Sequence, residues 1–344
     1  MRKVWLDTDP GFDDWFAMAM LAADPGVEWI GTSVVAGNAA LPLTWRNARR
    51  IAAFHALEVP LYAGCDAPLV APLLTGHEVL GDEGMRTTGE PLPAVAGEDE
   101  RPAMHGVDAL IDAVLRAPQQ ITIVAIGPLT NIATALQRET GFAKAVAEVV
   151  LMGGSTDRGN LTAAAEYNIA ADPEAAAVVF DSGVPLRMFG LNLCRQFCIT
   201  AADVDRVRSW SGEKARCFAG YLDAYLGIAA AQGRNAMPIF DASVTAWLRW
   251  PELFTFEPAR VDVELEGRFT RGMTVCEFRA HRATPQVQVA MWVDGREAMA
   301  RTMGVLERVL APRAKSLIGV DKGRLEILGD IVAPAYQGKW DALE

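Results

Sequence analysis

The chain has 344 residues, 51% of them apolar, with 43 acidic against 32 basic side chains and a formal charge of −11. That length suits one large α/β domain or two smaller ones, and a negative charge with no basic tract argues against nucleic acid or an anionic membrane as partner. No apolar run approaches the roughly 20 residues a bilayer demands, and five cysteines without a CxxC pair point to a reducing cytoplasm.

Val4-Trp5-Leu6 reads as a first strand, and Asp7-Thr8-Asp9-Pro10-Gly11-Phe12-Asp13-Asp14 leads from it into a helix-like run, Trp15 to Leu21. Side chains alternate along a strand, which predicts Asp7 and Asp9 on one side of its carboxyl end, with Pro10-Gly11 turning the backbone and Asp13-Asp14 opening the helix. A helix N-terminus favours one or two acids by a few tenths to about 1 kcal/mol each, but four at close range repel. A cap needs one acceptor rather than four, so this turn points to a hard divalent cation.

Val27 to Val35 reads as a second strand ending in Ala36-Gly37-Asn38, before a helix from Leu43 to Leu57. Asn38 either caps that helix or faces the same sheet edge as the aspartates. Pro60 to Ala63 is a short third strand. Cys65 to Pro102 is rich in Gly, Pro and acids without clear periodicity, and reads as a lid or cavity wall carrying His77, Glu78, Asp82 and Glu83. After a helix from Met104 to Ala117, Ile121 to Ala125 has the continuous apolar character of a buried parallel strand and runs into Ile126-Gly127-Pro128-Leu129-Thr130-Asn131. Val149 to Met152 is the next strand, followed by a polar loop holding Asn160, Glu166, Tyr167 and Asn168; Asp172-Pro173 then starts a helix, and Val184 to Phe189 is another strand.

Thr200 to Trp250 is mainly helical, with Tyr221 and Tyr225 on one face as packing residues and Asp241 opening a helix directly after Phe240. Val261 to Leu265, Met273 to Phe278 and Gln286 to Val293 read as late antiparallel strands, closed by a helix from Gly295 to Leu310. The alternation predicts a single large Rossmann-like α/β domain over residues 1–312, its central sheet mainly parallel and flanked by helices, and an appendage at 313–344.

Ligands that are all oxygen suit Ca²⁺ or Mg²⁺ rather than zinc, and the four histidines are scattered. A metal held by aspartates acidifies water, and a neighbouring carboxylate takes the proton, which is hydrolytic chemistry. The uncharged polar groups of Asn38, Asn160 and Asn168, with Glu166, suit a ligand rich in hydroxyls.

The acidic turn, Val35 to Asn38, Gly127 to Asn131, Leu151-Met152-Gly153-Gly154 and Ala165 to Ala175 occur together and in order. In this the chain resembles the inosine-uridine-preferring nucleoside hydrolases from about residue 3 to 310. The resemblance implies hydrolysis of the N-glycosidic bond of a ribonucleoside, with Ca²⁺ held by Asp9, Asp14, Asp241 and the Ile126 carbonyl, and with Asp9 also the general base. It implies that Asp13 and Asn38 bind the ribose 2′ and 3′ hydroxyls, that Asn160, Glu166 and Asn168 hold the 5′ hydroxyl, and that Asp7 supports the turn from behind. It further implies a homodimer or homotetramer. Many members carry a histidine acid where this chain has Phe240, and a lid histidine is replaced by Leu80 or a neighbour. An aromatic ring stacks on a base but donates no proton, so the expected preference is for purines. Tyr225, Arg234 or a lid acid as proton donor, with pyrimidines used, is the alternative. Two other classes remain open: a haloacid-dehalogenase-like phosphatase, against which Gly11 stands in place of Thr or Val, and a non-catalytic nucleoside-binding protein.

Overall fold

Eleven strands carry the framework: β1 (Arg2–Thr8), β2 (Val27–Val34), β3 (Leu61–Ala63), β4 (Ile121–Ala125), β5 (Glu148–Met152), β6 (Leu186–Phe189), β7 (Cys198–Thr200), β8 (Ala236–Pro238), β9 (Phe254–Val263), β10 (Thr274–Glu277) and β11 (Val287–Val293). They come from a computed structural model that describes residues 1–311; the expected appendage at 313–344 lies outside the described residues. Nine of them form one sheet in the order β10-β9-β11-β6-β5-β4-β1-β2-β3, and β7 pairs with β8 separately. From β3 to β6 neighbouring strands are parallel. The order 3-2-1-4-5-6 is that of a doubly wound sheet, whose strand order reverses between β1 and β4 while the strands stay parallel. A crevice opens there beyond the carboxyl ends of the strands. The acidic turn leaves β1 at this point, and Ile126-Gly127 leaves β4 beside it.

Helices cover both faces, each over its own apolar cluster. The helix Phe12–Ala22 is buried along nearly its whole length, so it behaves as a core helix rather than an amphipathic one. Its Phe12 and Trp15 meet Phe218, Tyr221 and Tyr225 of the helix Glu213–Ala231 at ring separations of 5.0 to 6.3 Å. Such pairs add about 0.5–1.5 kcal/mol each beyond burial. They fix the start of the first helix, and with it the acidic turn, against a segment two hundred residues away.

The late strands are antiparallel to one another as expected, β9 to both β10 and β11, and β11 joins the main sheet by running parallel to β6. Two expectations are corrected. The strand β9 begins at Phe254, ahead of the expected Val261, and its first half was concealed by Pro258. That proline pairs with Gln288 of β11, whereas β10 reaches only Arg260 to Val263, so its missing N–H faces no neighbour. The stretch read as helical also contains β8, whose antiparallel pairing with β7 sets Cys198 opposite Pro238.

The segment 65–102 is firmly held at its far end. Arg50 forks onto Glu98 at 2.6 and 2.8 Å, Trp45 donates to the Glu100 carbonyl, and the Leu92 N–H donates to the Tyr221 hydroxyl. His55, at the end of the helix Leu41–His55, accepts the Trp15 indole N–H at 2.7 Å through Nε2. Burial, and then the charge of Lys214, push its pKa down from 6.5 to about 4. Between those values the unfolded chain binds a proton that the folded one excludes, so this stability is complete above about pH 6.5 and is lost as pH falls towards 4. Thermal melts across that range should show a steeper acid loss for wild type than for His55→Gln, whose amide accepts the same indole without titrating; parallel curves would refute it.

Candidate active site

Backbone geometry explains why the turn can hold so many acids. Gly11 caps the helix Phe12–Ala22, and its N–H donates to Asp14 Oδ2 at 2.8 Å. Thr8 donates to Asp14 Oδ1 at 2.5 Å, while the Asn38 amide donates to Asp14 Oδ2 and to the Asp9 carbonyl. The Asn38 backbone N–H donates to Asp9 Oδ2 at 2.6 Å. Ala40, not Asn38, caps the following helix, so Asn38 belongs to the acidic turn. The Asp9 carboxylate lies between two glycines. A Cβ on Gly37 would stand 2.1 Å from its Oδ2, and one on Gly127 would stand 2.7 Å from its Oδ1. That Oδ1 is buried and has no protein partner.

Asp13, Asp14 and Asp241 each bring a carboxylate oxygen within 4.8 Å of the others. Asp241 arrives from Phe240-Asp241, just after β8, at the start of the helix Ala242–Arg249. At an effective dielectric of about 20, two charges at that separation repel by about 3 kcal/mol, more than a helix terminus returns. Burial is the main cause that raises the pKa of Asp9, Asp14 and Asp241, and neighbouring aspartates push Asp9 and Asp241 further up. Asp13 rises to about 7 by burial and then by Asp14. An all-oxygen cluster with a buried unpartnered oxygen beside it fits a hard dication.

Strand alternation predicts Asp7 beside Asp9, and the resemblance implies a supporting place behind the turn; Asp7 serves a network of its own beneath the crevice. Register sets Asp7 next to Ser33, whose hydroxyl donates to its Oδ2, and Asn131 donates to the same oxygen at 2.8 Å. Burial raises the Asp7 carboxyl to about 7.

Above the acids lies a cavity of about 1330 Å³. Its floor includes Asp13, Asn38, Ile126 and Met152. One wall is Leu73 to Leu80, containing the short helix His77–Leu80, so part of the long irregular segment is a cavity wall and His77 lines it. A second wall carries Arg158, Asn160, Glu166, Tyr167 and Asn168. Glu166 caps the helix Tyr167–Ala171, accepting the N–H groups of Asn168, Ile169 and Gly154. Asn168 donates to the carbonyls of Ile126 and Met152, which leaves the Ile126 oxygen one free lone pair and Asn168 its own oxygen. Asn160 accepts the Tyr167 N–H and keeps its amide NH₂ free. The third wall is Tyr225, Ile228, Gln232 to Pro238 and Phe240, with Arg195 and Cys198 behind.

Thus Asp9, Asp13, Asp14, Asn38, Ile126, Asn160, Glu166, Asn168, Phe240 and Asp241 converge on one crevice. Tyr225, read as packing or, in the alternative, as proton donor, also belongs to it: its hydroxyl donates to Asp13 Oδ2 at 3.1 Å. The four-residue spacing from Tyr221 signalled a shared helix face but not that the face ends at a cavity. Arg195 and Cys198 carried no distinguishing signal in the sequence.

Fold and crevice define an α/β enzyme with its site at the carboxyl edge of a parallel sheet, built from buried carboxylates and amides. The chain belongs to the inosine-uridine preferring nucleoside hydrolase family, whose pattern matches residues 4–300, and it is a ribonucleoside hydrolase. It is 37% identical over 316 residues to the inosine-uridine preferring nucleoside hydrolase of Crithidia fasciculata, covering 91% of this chain and 99% of that protein. It is 35% identical to the pyrimidine-specific ribonucleoside hydrolase RihA of Enterobacter sp. strain 638, over 79% of this chain and 87% of the other. A purine-preferring ribonucleoside hydrolase from Gardnerella vaginalis superposes with a TM-score of 0.83 at 28% identity, over 90% of this chain and 99% of the other.

In chelator, the folded protein binds more protons than the unfolded chain between the usual aspartate value of 3.8 and about 7, so its stability falls as pH rises through that window. Measured from pH 5 to 7 in a His55→Gln background, which removes the opposing imidazole titration, the melting temperature of the chelated protein should fall. Asp241→Asn should flatten that loss, and a divalent cation should raise the wild-type melting temperature more at the upper pH. A cation that changes nothing would exclude the metal reading.

Proposed function

We propose that the protein is a Ca²⁺-dependent ribonucleoside hydrolase that prefers purine nucleosides. The observation that carries this reading is the nest of Asp9, Asp13, Asp14 and Asp241, whose raised pKa values leave them in need of a cation to stay ionised. Asp9, Asp14, Asp241 and the Ile126 carbonyl would hold it, with Asp13 beside them. When bound, Ca²⁺ supplies the positive charge that keeps these groups ionised and acidifies a nearby water.

Asp9 Oδ1 takes the proton as the water oxygen bonds to the anomeric carbon. The C–N bond breaks, and its electron pair leaves with the base. Asp13 and Asn38 hold the 2′ and 3′ hydroxyls, while the free amide of Asn160 and the acceptor oxygens of Glu166 and Asn168 hold the 5′ hydroxyl. Fixed oxygens around the ring stabilise the oxocarbenium character that develops there. Phe240 supplies a stacking face to the base. Tyr225 is a poor acid: burial and Asp13 push its hydroxyl well above the usual value. Five unpaired cysteines and the charge of −11 support a cytoplasmic enzyme acting on free nucleosides rather than on nucleic acid or membranes; that it acts as a homodimer or homotetramer is taken from the family resemblance alone. No helix among the described residues is long and apolar enough to cross a membrane.

Ribose release should be followed from inosine, adenosine, guanosine, uridine and cytidine, with Ca²⁺ and after chelation. The purine nucleosides should be cleaved fastest, chelation should abolish release, and Asp9→Ala should cost on the order of 10²–10⁴ in kcat. Phe240→Ala should reduce the ratio of inosine to uridine turnover by up to about tenfold. Uridine cleaved as fast as inosine by wild type would end the purine preference and leave the hydrolase standing.

A further inference from the structure

The wall assigned to the 5′ hydroxyl grows from a loop between β5 and the helix Tyr167–Ala171, and the middle of that loop, Asp157 to Ala163, is largely exposed. Its first residues are secured by Thr274 of β10, whose hydroxyl accepts the Ser155 N–H at 2.8 Å and donates to the Ser155 carbonyl at 2.7 Å. Its last residues are secured by Glu166. Between them, Gly159 and Asn160 donate only to carbonyls of the loop itself, those of Ala163 and Ala165. From Asp157 to Arg158, the hydrogen bonds that reach outside the loop among the described residues come from Arg195. Its Nη1 donates to both Asp157 oxygens at 2.7 and 2.8 Å, and its Nη2 donates to the Arg158 carbonyl at 2.7 Å.

Arg195 directly follows the short helix Leu191–Cys194 and lines the cavity. Its guanidinium therefore ties the loop to the rigid segment that lies behind Phe240, where Cys194 donates to the Phe240 carbonyl. A planar fork with three donations fixes orientation as well as distance, which a point charge would not. Burial pulls the Asp157 carboxyl up, yet hydrogen bonds from Ser155 and Arg195 outweigh it and leave the group below its usual value. Two residues beyond the clamp, Asn160 is committed to Tyr167 through its oxygen and keeps its NH₂ for a ligand.

We propose that Arg195 is a positioning residue: through Asp157 and the Arg158 carbonyl it aims the Asn160 amide at the primary hydroxyl of the sugar, and so sets discrimination between ribonucleosides and their 5′-deoxy analogues. The proposal rests on the reading of this cavity as a ribonucleoside site. The clamp acts on selectivity rather than on the fold. With Asp157 half exposed, a pair of this kind contributes little to global stability, whereas a small displacement of a group that contacts substrate is costly to turnover.

The test compares kcat/KM for inosine and 5′-deoxyinosine, with Ca²⁺ present, in wild type, Asp157→Ala, Asp157→Glu and Arg195→Met. Wild type should favour inosine by roughly tenfold or more. In Asp157→Ala and Arg195→Met that preference should shrink to within about threefold, through loss on inosine alone, while the melting temperature moves by no more than about 2 °C. Asp157→Glu should recover part of the preference. A preference retained in both folded variants, or an equal loss on both substrates, overturns the clamp alone. A wild type that releases no ribose from any nucleoside overturns the functional reading and the clamp with it. If Arg195→Met does not fold, the exposed Asp157 variants decide the question.

Discussion

Mutual repulsion among carboxylates packed at the end of the first strand is the constraint to which the rest of the molecule answers. Asp9, Asp14 and Asp241 are buried, with Asp13 at the cavity floor, and each close pair of charges costs about 3 kcal/mol at an effective dielectric of about 20. The protein offsets part of this with donors from backbone and side chain alike: the N–H groups of Gly11 and Asn38, the Thr8 hydroxyl and the Asn38 amide. Backbone donors are held by the sheet and its turns, so they do not need to reorganise when charge arrives. Gly37 and Gly127 answer the same constraint, since side chains there would occupy the space of the Asp9 carboxylate.

Asn38 joins this centre to the walls around it. Its carbonyl accepts the Gly76 N–H at 2.9 Å, which sets the start of the cavity wall that contains His77. The neighbouring Gly37 carbonyl accepts the Tyr167 hydroxyl at 2.9 Å, which ties the opposite wall to the same two residues. Both walls therefore refer their positions to two consecutive peptides beside Asp9. Glu166 makes the second wall rigid by using both of its oxygens to cap a helix of five residues, so its carboxylate is oriented before any ligand enters.

Much of this was legible in the sequence because local spacing carried it. The apolar strand, the Pro-Gly turn and the acids after it form one continuous signal, and the Asn-Glu-Asn constellation lies within a single short segment. What the sequence concealed depends on contacts between distant residues. Asp7 and Asp9 are two apart, yet cross-strand Ser33 and Asn131 draw Asp7 into a separate network. Tyr225 has the spacing of a packing residue and fulfils that role against Phe12, while its hydroxyl reaches Asp13 from across the chain. Pro258 disguised half of β9 because only pairing shows that its missing N–H faces an unpaired edge. The His77 wall lacked periodicity because its position comes from Asn38 rather than from an amphipathic face.

Phe240 shows how a rigid site limits its own selectivity. The Phe240 carbonyl accepts the Ser243 hydroxyl at 2.6 Å and faces the Cys194 thiol, while Asp241, the next residue, belongs to the acid cluster. The backbone that carries the ring is thus fixed by the same contacts that place a carboxylate, so the ring can adjust to a base only by rotating about its own side-chain bonds. A stacking pair is worth about 0.5–1.5 kcal/mol beyond burial, and 1.4 kcal/mol is a factor of ten. On the proposed reading, an aromatic platform alone therefore biases the enzyme towards larger bases by about an order of magnitude at most. On that reading, a stronger discrimination between purines and pyrimidines would need polar groups of the cavity walls, such as His77 or Gln232 to Asn235, because an unmet hydrogen bond in a desolvated site separates substrates more sharply than a difference in stacking area.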